Sequence, residues 1–334
     1  MGVATMDDIA KRLGISKGTV SKAFSGAGDV SEAMRRSVLE TAVELGYTRQ
    51  VRGWEAPRLC VFIENVAYAR PEDFGWGLVT GFRKLAEPDG WQVDLVPLSD
   101  ELQRQYRYDA YMLRHNYQGG FFLGNTLSDP WTLEFRTCRT PTVLLDNHNQ
   151  YNPQVTQVGI DNDEAMESAV RDLTQLGHRR IGYLSPGLGS YIYQERCRAF
   201  FRALRIHHLE DDRELAGHSD DLSQCLEVHL PRLLERGCTA IQCSHDLLAR
   251  EVLLRCLALG KAVPGDVSIL GIDDLPVCRE LTPTLSSIRQ DRTELGKSAY
   301  YALNSQIHHV HISCLKLHSE LILRGSVGQR QAAP

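Results

Sequence analysis

The sequence predicts a small all-α helix-turn-helix head followed by an α/β body of two doubly wound parallel-sheet lobes. Three observations carry this. Residues 5–47 hold two short amphipathic helical stretches that meet at a glycine, with a longer third stretch behind them. From Leu59 onward, short apolar runs alternate with helical stretches, the rhythm of strands joined by crossover helices. The 334 residues, 43% of them hydrophobic, exceed one ordinary domain and suffice for real cores.

Thr5 precedes the first helix and suits its N-cap. Asp7 and Asp8 follow in the first turn, where the positive end of the helix dipole favours them. Ile9, Ala10 and Leu13 form an apolar stripe at helical spacing. Gly14 permits a tight turn, and Ile15 plugs its corner. Ser16 caps a second helix from about Lys17 to Phe24, with Val20, Ala23 and Phe24 inward and Lys17, Gly18, Ser21 and Lys22 outward. Gly26 and Gly28 break the chain. Ser31 caps a third helix that turns Met34, Val38, Leu39, Ala42 and Leu45 inward, and Gly46 ends it. A unit of this kind places its second helix in the DNA major groove. Hydroxyls and a helix N-terminus suit phosphate oxygens; lysines near a helix start suit phosphates or guanine edges. A plain helical bundle with solvated lysines is the other reading, and the string G-I-S-x-x-T-V-S-K from Gly14 to Lys22 favours the first.

In the body, strands are expected at 59–64, 91–96, 119–124, 142–146, 179–185, 239–244 and 267–272. Helices are expected near 74–86, 101–115, 129–138, 163–176, 191–205, 222–236 and 246–259. Two such sets imply two lobes, and ligands of doubly wound folds bind at the carboxyl ends of the strands.

Residues 1–53 carry eight Lys and Arg against six Asp and Glu, and the remainder 29 against 36. A mildly basic head on an acidic body fits a body that does not itself touch nucleic acid. No apolar run is long enough to span a bilayer, and residues 1–25 do not read as a signal peptide, so a cytoplasmic protein is expected. The nine cysteines lack C-x-x-C spacing and read as reduced thiols in cores. The string GLGS at 187–190 lacks a third glycine and an acidic partner, and neither G-x-S-x-G nor H-E-x-x-H occurs. EDDRE at 210–214 reads as a solvated loop. His309 and His311 either line one face of a strand as metal ligands or, with His308, lie in a surface loop. The surface loop is the expectation, with no metal, no cofactor and no enzyme.

The head string D-I-A-K-x-x-G-I-S-x-x-T-V-S-K, then V-S-E-A-x-R-x-x-V-L and E-L-G-Y, resembles the lactose-repressor (LacI) family of bacterial transcription regulators. The body carries VGIDN (158–162), LGHRRIGYL (176–184), Arg196 with Ala199 and Phe200, His245-Asp246, VSILGIDD (267–274), LTPTLSSIRQD (281–291) and ELILRGSV (320–327) in that family's order. The resemblance implies a periplasmic-binding-protein-like body and a repressor that binds a palindromic double-stranded operator as a homodimer, controlled by a small effector, most simply a carbohydrate. It divides the chain into a head at 1–47, a linker at 48–58, an N-lobe from 59–161 and 289–318, and a C-lobe from 162–288 and 319–330.

By position, the resemblance makes Lys17, Gly18 and Lys22 base readers and gives Ser16, Thr19 and Ser21 to phosphates; Lys22 serves a base or a phosphate. Thr5 and Ser31 complete the DNA-facing set. Arg196 matches the effector-gripping arginine, since a guanidinium fork suits vicinal hydroxyls or a carboxylate. Asp273 matches an acidic residue that accepts from effector groups, or else caps its loop. His245 stands where the family has asparagine, which departs from the usual sugar geometry, and Asp246 is expected to cap the helix that follows. Asp146 and Asn125 end strands and serve either ligand or loop. Phe74, Trp76 and Tyr191 either stack on a ring or belong to the core. Two other functions fit an α/β body, a solute-binding module without DNA regulation and a sugar-processing enzyme. The head speaks against the first, and the lack of flanking carboxylates against the second.

The linker departs from the family. Members follow Gly-Tyr with Pro-Asn and an A-R-x-L segment that folds on DNA and wedges a leucine into the minor groove. Here the segment is TRQVRGWEAPR, with no leucine, with Gly53 and Pro57 opposing a helix, and with Arg49, Arg52 and Arg58 left for minor-groove or phosphate contact. The expectation is coupling through a loop with little DNA bending. A circular-permutation assay should therefore show operator complexes whose mobility barely depends on site position; a strong positional dependence counts against it.

Overall fold

The computed structural model describes residues 4–47, 56–148 and 151–330. The linker residues Arg49 and Arg52 lie outside that set.

The head has α1 (Met6–Leu13), α2 (Lys17–Ser25) and α3 (Glu32–Leu45). Ile9, Val20, Ala23, Phe24, Val38, Leu39 and Ala42 close on one small core, and Tyr47 stacks on Phe24 with ring centroids 5.2 Å apart. Leu45, expected inward, is 38% exposed; Thr41 takes a buried place on the same helix instead.

The body has β1 (Arg58–Ile63), α4 (Phe74–Ala86), β2 (Gln92–Pro97), α5 (Asp100–Gln105), α6 (Tyr108–His115), β3 (Tyr117–Leu123), α7 (Pro130–Glu134), β4 (Thr142–Leu145) and β5 (Val155–Ile160). Next come α8 (Asn162–Gln175), β6 (Ile181–Ser185), α9 (Tyr191–Ile206), β7 (Ala216–His218), α10 (Leu222–Gln224), α11 (Leu230–Glu235), β8 (Ala240–Cys243), α12 (Asp246–Ala258) and β9 (Ser268–Asp273). Last are α13 (Val277–Glu280), β10 (Ser286–Arg289), α14 (Arg292–Ile307), β11 (Cys314–Leu317) and β12 (Glu320–Ile322). The strands form two six-stranded sheets, β11-β5-β4-β3-β1-β2 and β12-β10-β9-β8-β6-β7. The second is parallel except at its edge, where β12 runs antiparallel to β10. Central strands are buried on both faces, as crossover helices require; β1, β4 and β9 are apolar almost throughout.

The structure departs from the expected elements where local backbone chemistry intervenes. The helix expected at 101–115 is two, because Tyr106 is extended and Trp131 Nε1 donates to its carbonyl at 2.7 Å. The helix at 129–138 stops at Glu134, and that at 222–236 is interrupted by a π-turn over Cys225–His229. Short strands β5, β7, β10, β11 and β12 and the long α14 went unassigned in the sequence.

By contacts the chain divides into an N-lobe unit of residues 1–66, 79–158 and 296–315, which includes the head, and a C-lobe unit of 67–78, 159–295 and 316–334. The crossings at 158/159 and 315/316 lie three residues before those expected at 161/162 and 318/319, that at 295/296 lies seven residues after the one expected at 288/289, and 67–78 joins the C-lobe unit. All nine cysteines are free thiols, and eight are buried. Among the described residues no helix is long and apolar enough to cross a membrane.

Candidate DNA-reading surface and ligand-facing residues

Each helix of the head starts on a side-chain cap. Asp8 N donates to Thr5 Oγ1 at 3.3 Å while Thr5 N donates to Asp8 Oδ2 at 2.8 Å, a reciprocal capping box that holds the Asp8 carboxyl below its usual range. Thr19 N donates to Ser16 Oγ at 3.0 Å, and Met34 N to Ser31 Oγ at 3.3 Å. The oxygens of Thr5, Ser16 and Ser31 are therefore occupied as acceptors; Ser16 also meets Thr19 Oγ1 at 2.9 Å.

Lys17, Gly18, Ser21 and Lys22 lie exposed along α2, with Thr19 half-buried. A Cβ on Gly18 would meet nothing closer than Ser16 Oγ at 3.5 Å, ordinary contact, so the head itself does not demand glycine here. Each lysine holds a carboxylate from another part of the head: Lys17 Nζ lies 2.7 Å from Asp7, and Lys22 pairs with Asp29, whose carboxyl it lowers. Both pairs are more than half exposed, so solvent screens them and they add little to stability. Arg58 is committed elsewhere: it pairs with Asp94, donates to His115 O at 3.2 Å and lies over the Tyr117 ring, which anchors the start of β1 and takes it out of the arginines left for DNA.

In the C-lobe unit the strand order reverses at β6, flanked by β7 and β8, and the carboxyl ends of β6 and β8 frame a crevice. Arg196 on α9 reaches this point. It is 4% exposed; its Nη1 donates to Ser244 O at 2.6 Å, its Nε to Asn162 Oδ1 at 3.4 Å, and Nη2 lies 3.9 Å from Asp273 Oδ1. Asp273 ends β9 with φ +118° and accepts from Gln290 Nε2. The other amide atom of Gln290, Oε1, is buried without a partner. A cavity of about 300 Å³ lies beside Asp273 and Gln290, walled also by Trp76, Arg289 and Arg292.

His245 caps α12: its Nδ1 accepts from Leu248 N at 3.2 Å, which leaves the proton of the neutral ring on Nε2. Burial and then Arg196 push its pKa down to about 4. Asp246 is not the cap expected of it. Fully buried, it accepts from Leu275 N at 2.7 Å, Ser287 Oγ at 2.6 Å and Cys278 Sγ at 3.1 Å, and burial pushes its pKa up to about 6. A Cβ on Gly271 would stand 2.2 Å from its Oδ1, which explains that glycine. Asp274 is saturated by Arg279, Arg289 and Arg324. Tyr191 starts α9 half-buried, and Phe74 starts α4 half-buried, with Trp76 39% exposed. The ring of Tyr193, not singled out from the sequence, lies 6.1 Å from that of His245.

In the N-lobe unit the order reverses at β1, flanked by β2 and β3. Asn125 follows β3 and is buried, and both atoms of its amide lack a partner. Asp146 follows β4 with φ +49°, half-buried. Sequence reasoning missed Glu64, which follows β1. It is buried, with ligand-type oxygens of Asp100 and Asp129 within 4.8 Å, and Gln103 Nε2 lies 3.5 Å away. Burial first and Asp129 second push its pKa up to about 7. Among the described residues this is the one carboxylate trio close enough to hold a cation. No periodic signal marks it, because its members come from three separate strand ends. His308, His309 and His311 lie in the loop between α14 and β11, and His311 Nδ1 sits 2.9 Å from Pro153 O.

Residues 5–50 match the model of the bacterial regulatory proteins of the lacI family, and residues 170–327 that of the periplasmic binding protein-like domain. The chain is 27% identical to the HTH-type transcriptional repressor CytR of Escherichia coli (strain K12), over 97% of this chain and 96% of that protein. It is 28% identical to the HTH-type transcriptional regulator MalR of Streptomyces coelicolor, over 90% and 89%. A solved transcriptional regulator CelR-cellobiose complex superposes with a TM-score of 0.72 at 26% identity, covering 97% of this chain and 99% of that one.

Two outcomes are expected. Gly18→Ala should leave the head folded and raise its stability by up to about 1 kcal/mol by calorimetry; weakened operator binding in the same variant would show that α2 meets DNA at this position. Glu64 has a folded pKa above its unfolded value, so its contribution is complete below pH 4.5 and lost as pH rises through 7. Glu64→Gln should therefore stabilise the chain at pH 8 by about 1–2 kcal/mol, with solvent screening at Asp100 limiting the gain, and give a much smaller gain at pH 5. Equal melting shifts at both pH values would exclude this.

Proposed function

Since the chain belongs to the LacI family of bacterial regulatory proteins, we propose that it is an operator-binding repressor, acting in the cytoplasm as a homodimer and controlled by a small polyhydroxylated effector. The observation that carries this reading is one chain holding both a capped helix-turn-helix with an open lysine-bearing face and a body with buried polar residues at the order reversals of both sheets. Lys17 and Lys22 are the base readers, each supplying roughly 1–3 kcal/mol of discrimination at guanine edges. Thr19 and Ser21, with Ser16 and Ser31 donating their hydroxyl protons, take phosphates, whereas the Thr5 hydroxyl proton is held by Asp8 Oδ2 at 2.7 Å and leaves Thr5 as a cap.

On the effector side, Arg196, His245 and Asp273 are the candidate contacts of the C-lobe unit, with Tyr191 and Phe74 offering apolar faces, and Asn125 and Asp146 are separate candidates of the N-lobe unit. His245 replaces an amide with a ring that stays neutral at physiological pH and offers one donor, Nε2–H. The unpartnered Asn125 amide supplies both a donor and an acceptor, which suits hydroxyl groups. A carbohydrate effector agrees with the cellobiose bound by the structurally similar CelR. DNA and effector affinities are then reciprocally linked. A solute-binding module without DNA regulation would have no use for the head.

The test is a gel shift on the chain's own upstream region, with and without a panel of sugars, beside a thermal-shift screen of the same panel. Retardation that a sugar alters, and a sugar-induced melting shift lost in Arg196→Ala and Asp273→Asn, are expected. No retardation at any site removes the regulator, and a melting shift unchanged in both variants removes the C-lobe contacts.

A further inference from the structure

The head does not stand apart from the N-lobe; one side of α3 is seated on α6. Ala110 of α6 is buried in the head's own hydrophobic core, with Leu113 packed against it and Val43 and Tyr47 contributed from the head. A polar clamp closes the N-terminal end of α3. Glu32 pairs with Arg114 of α6, Tyr106 donates to Glu32 at 3.2 Å, and Arg114 donates to the Tyr106 hydroxyl at 2.9 Å with its guanidinium 5.0 Å from that ring's centroid. The Arg114 contact holds the Glu32 carboxyl below its usual range. At the other end, Arg139 lies against Gly46, where a Cβ would stand 2.2 Å from its Nη1.

Two features give this contact a use. The face of α2 that carries Lys17, Gly18, Ser21 and Lys22 stays exposed, so a seated head can still meet DNA. Helix α6 leads directly into β3, and β3 ends next to Asn125. Tyr108, Tyr111 and Met112 of α6 pack in the same core as Phe62 of β1 and Phe122 of β3. A rigid strand thus runs from a proposed effector contact to the seat of the head.

We propose that the α3–α6 contact is the joint through which the lobe sets the orientation of the head and through which effector binding reaches DNA. This rests on the reading of the chain as an operator-binding regulator. The joint's specificity resides in the Glu32–Arg114–Tyr106 clamp, while Ala110 and Leu113 supply its apolar seat.

The experiment uses the full-length chain with Glu32→Lys, Arg114→Glu and the double exchange. Amide hydrogen exchange is followed in α3 and α6, and gel retardation on the upstream DNA fragment is followed in parallel. Arg114→Glu, a change in the lobe alone, should speed exchange in α3 of the head by roughly tenfold, about what one charge-assisted contact supplies, and weaken retardation by a similar factor. The double exchange should restore both. Unchanged α3 exchange in Arg114→Glu, or faster exchange with undiminished retardation, overturns the joint, as does a double exchange that restores neither. If the unmodified chain retards no DNA, the regulator reading fails, while the exchange comparison still decides whether the head is seated by this clamp.

Discussion

The loop that carries Asp273 in the C-lobe unit hangs on one buried carboxyl group. Asp246 sits at the first turn of α12, wholly inside the protein, and takes donors from the loop after β9, from α13 and from β10. A carboxyl in that position is costly unless satisfied, and three donors satisfy it. In being satisfied, it locks the turn in which Asp273 and Asp274 adopt left-handed backbone, and it fixes the residue before it, His245, as the cap of α12. Removal of the carboxyl would leave the buried Leu275 amide without a partner, take from the Ser287 hydroxyl its carboxylate acceptor, and release the loop that aims Asp273.

The adjacent aspartates of that loop show how little a sequence position says about a role until the partners are known. Asp274 is enclosed by three arginines and belongs to the framework. Asp273 turns the other way, towards Arg196 and Gln290, and remains within reach of the cavity beside Trp76. His245 and Asp246 divide differently: the first caps α12 through its ring nitrogen, and the second holds the loop after β9.

The head was legible because its signals are local. Thr5, Ser16 and Ser31 are caps that a short window reveals, and Gly14 and Gly46 stop helices for a backbone reason. The alternation of strands and helices was legible for the same reason as far as β9, except for the short β5 and β7. Beyond it, β10 and α14 follow one another with mixed polarity; α14 buries Leu295, Ala299 and Leu303 while leaving Tyr301 exposed, and its apolar periodicity is weak. Asp246 was misread because aspartate next to a helix start is ordinarily a cap, and its true partners lie some thirty or forty residues away. Glu64 was invisible because a single glutamate after an apolar run looks like a strand end, and only the sheet order brings Asp100 and Asp129 beside it.

The pairing of Lys17 with Asp7 and of Lys22 with Asp29 gives the head its own counter-anions. A lysine that meets DNA ordinarily releases a condensed cation from the phosphate backbone, and that release drives binding to any sequence. On the proposed reading of Lys17 and Lys22 as base readers, each lysine must exchange a tethered carboxylate for its DNA acceptor, so part of the counter-ion set free on binding is the protein's own side chain. A carboxylate held by the chain adds nothing to the entropy of released ions, so salt should weaken binding less steeply than it would for two lysines without such partners.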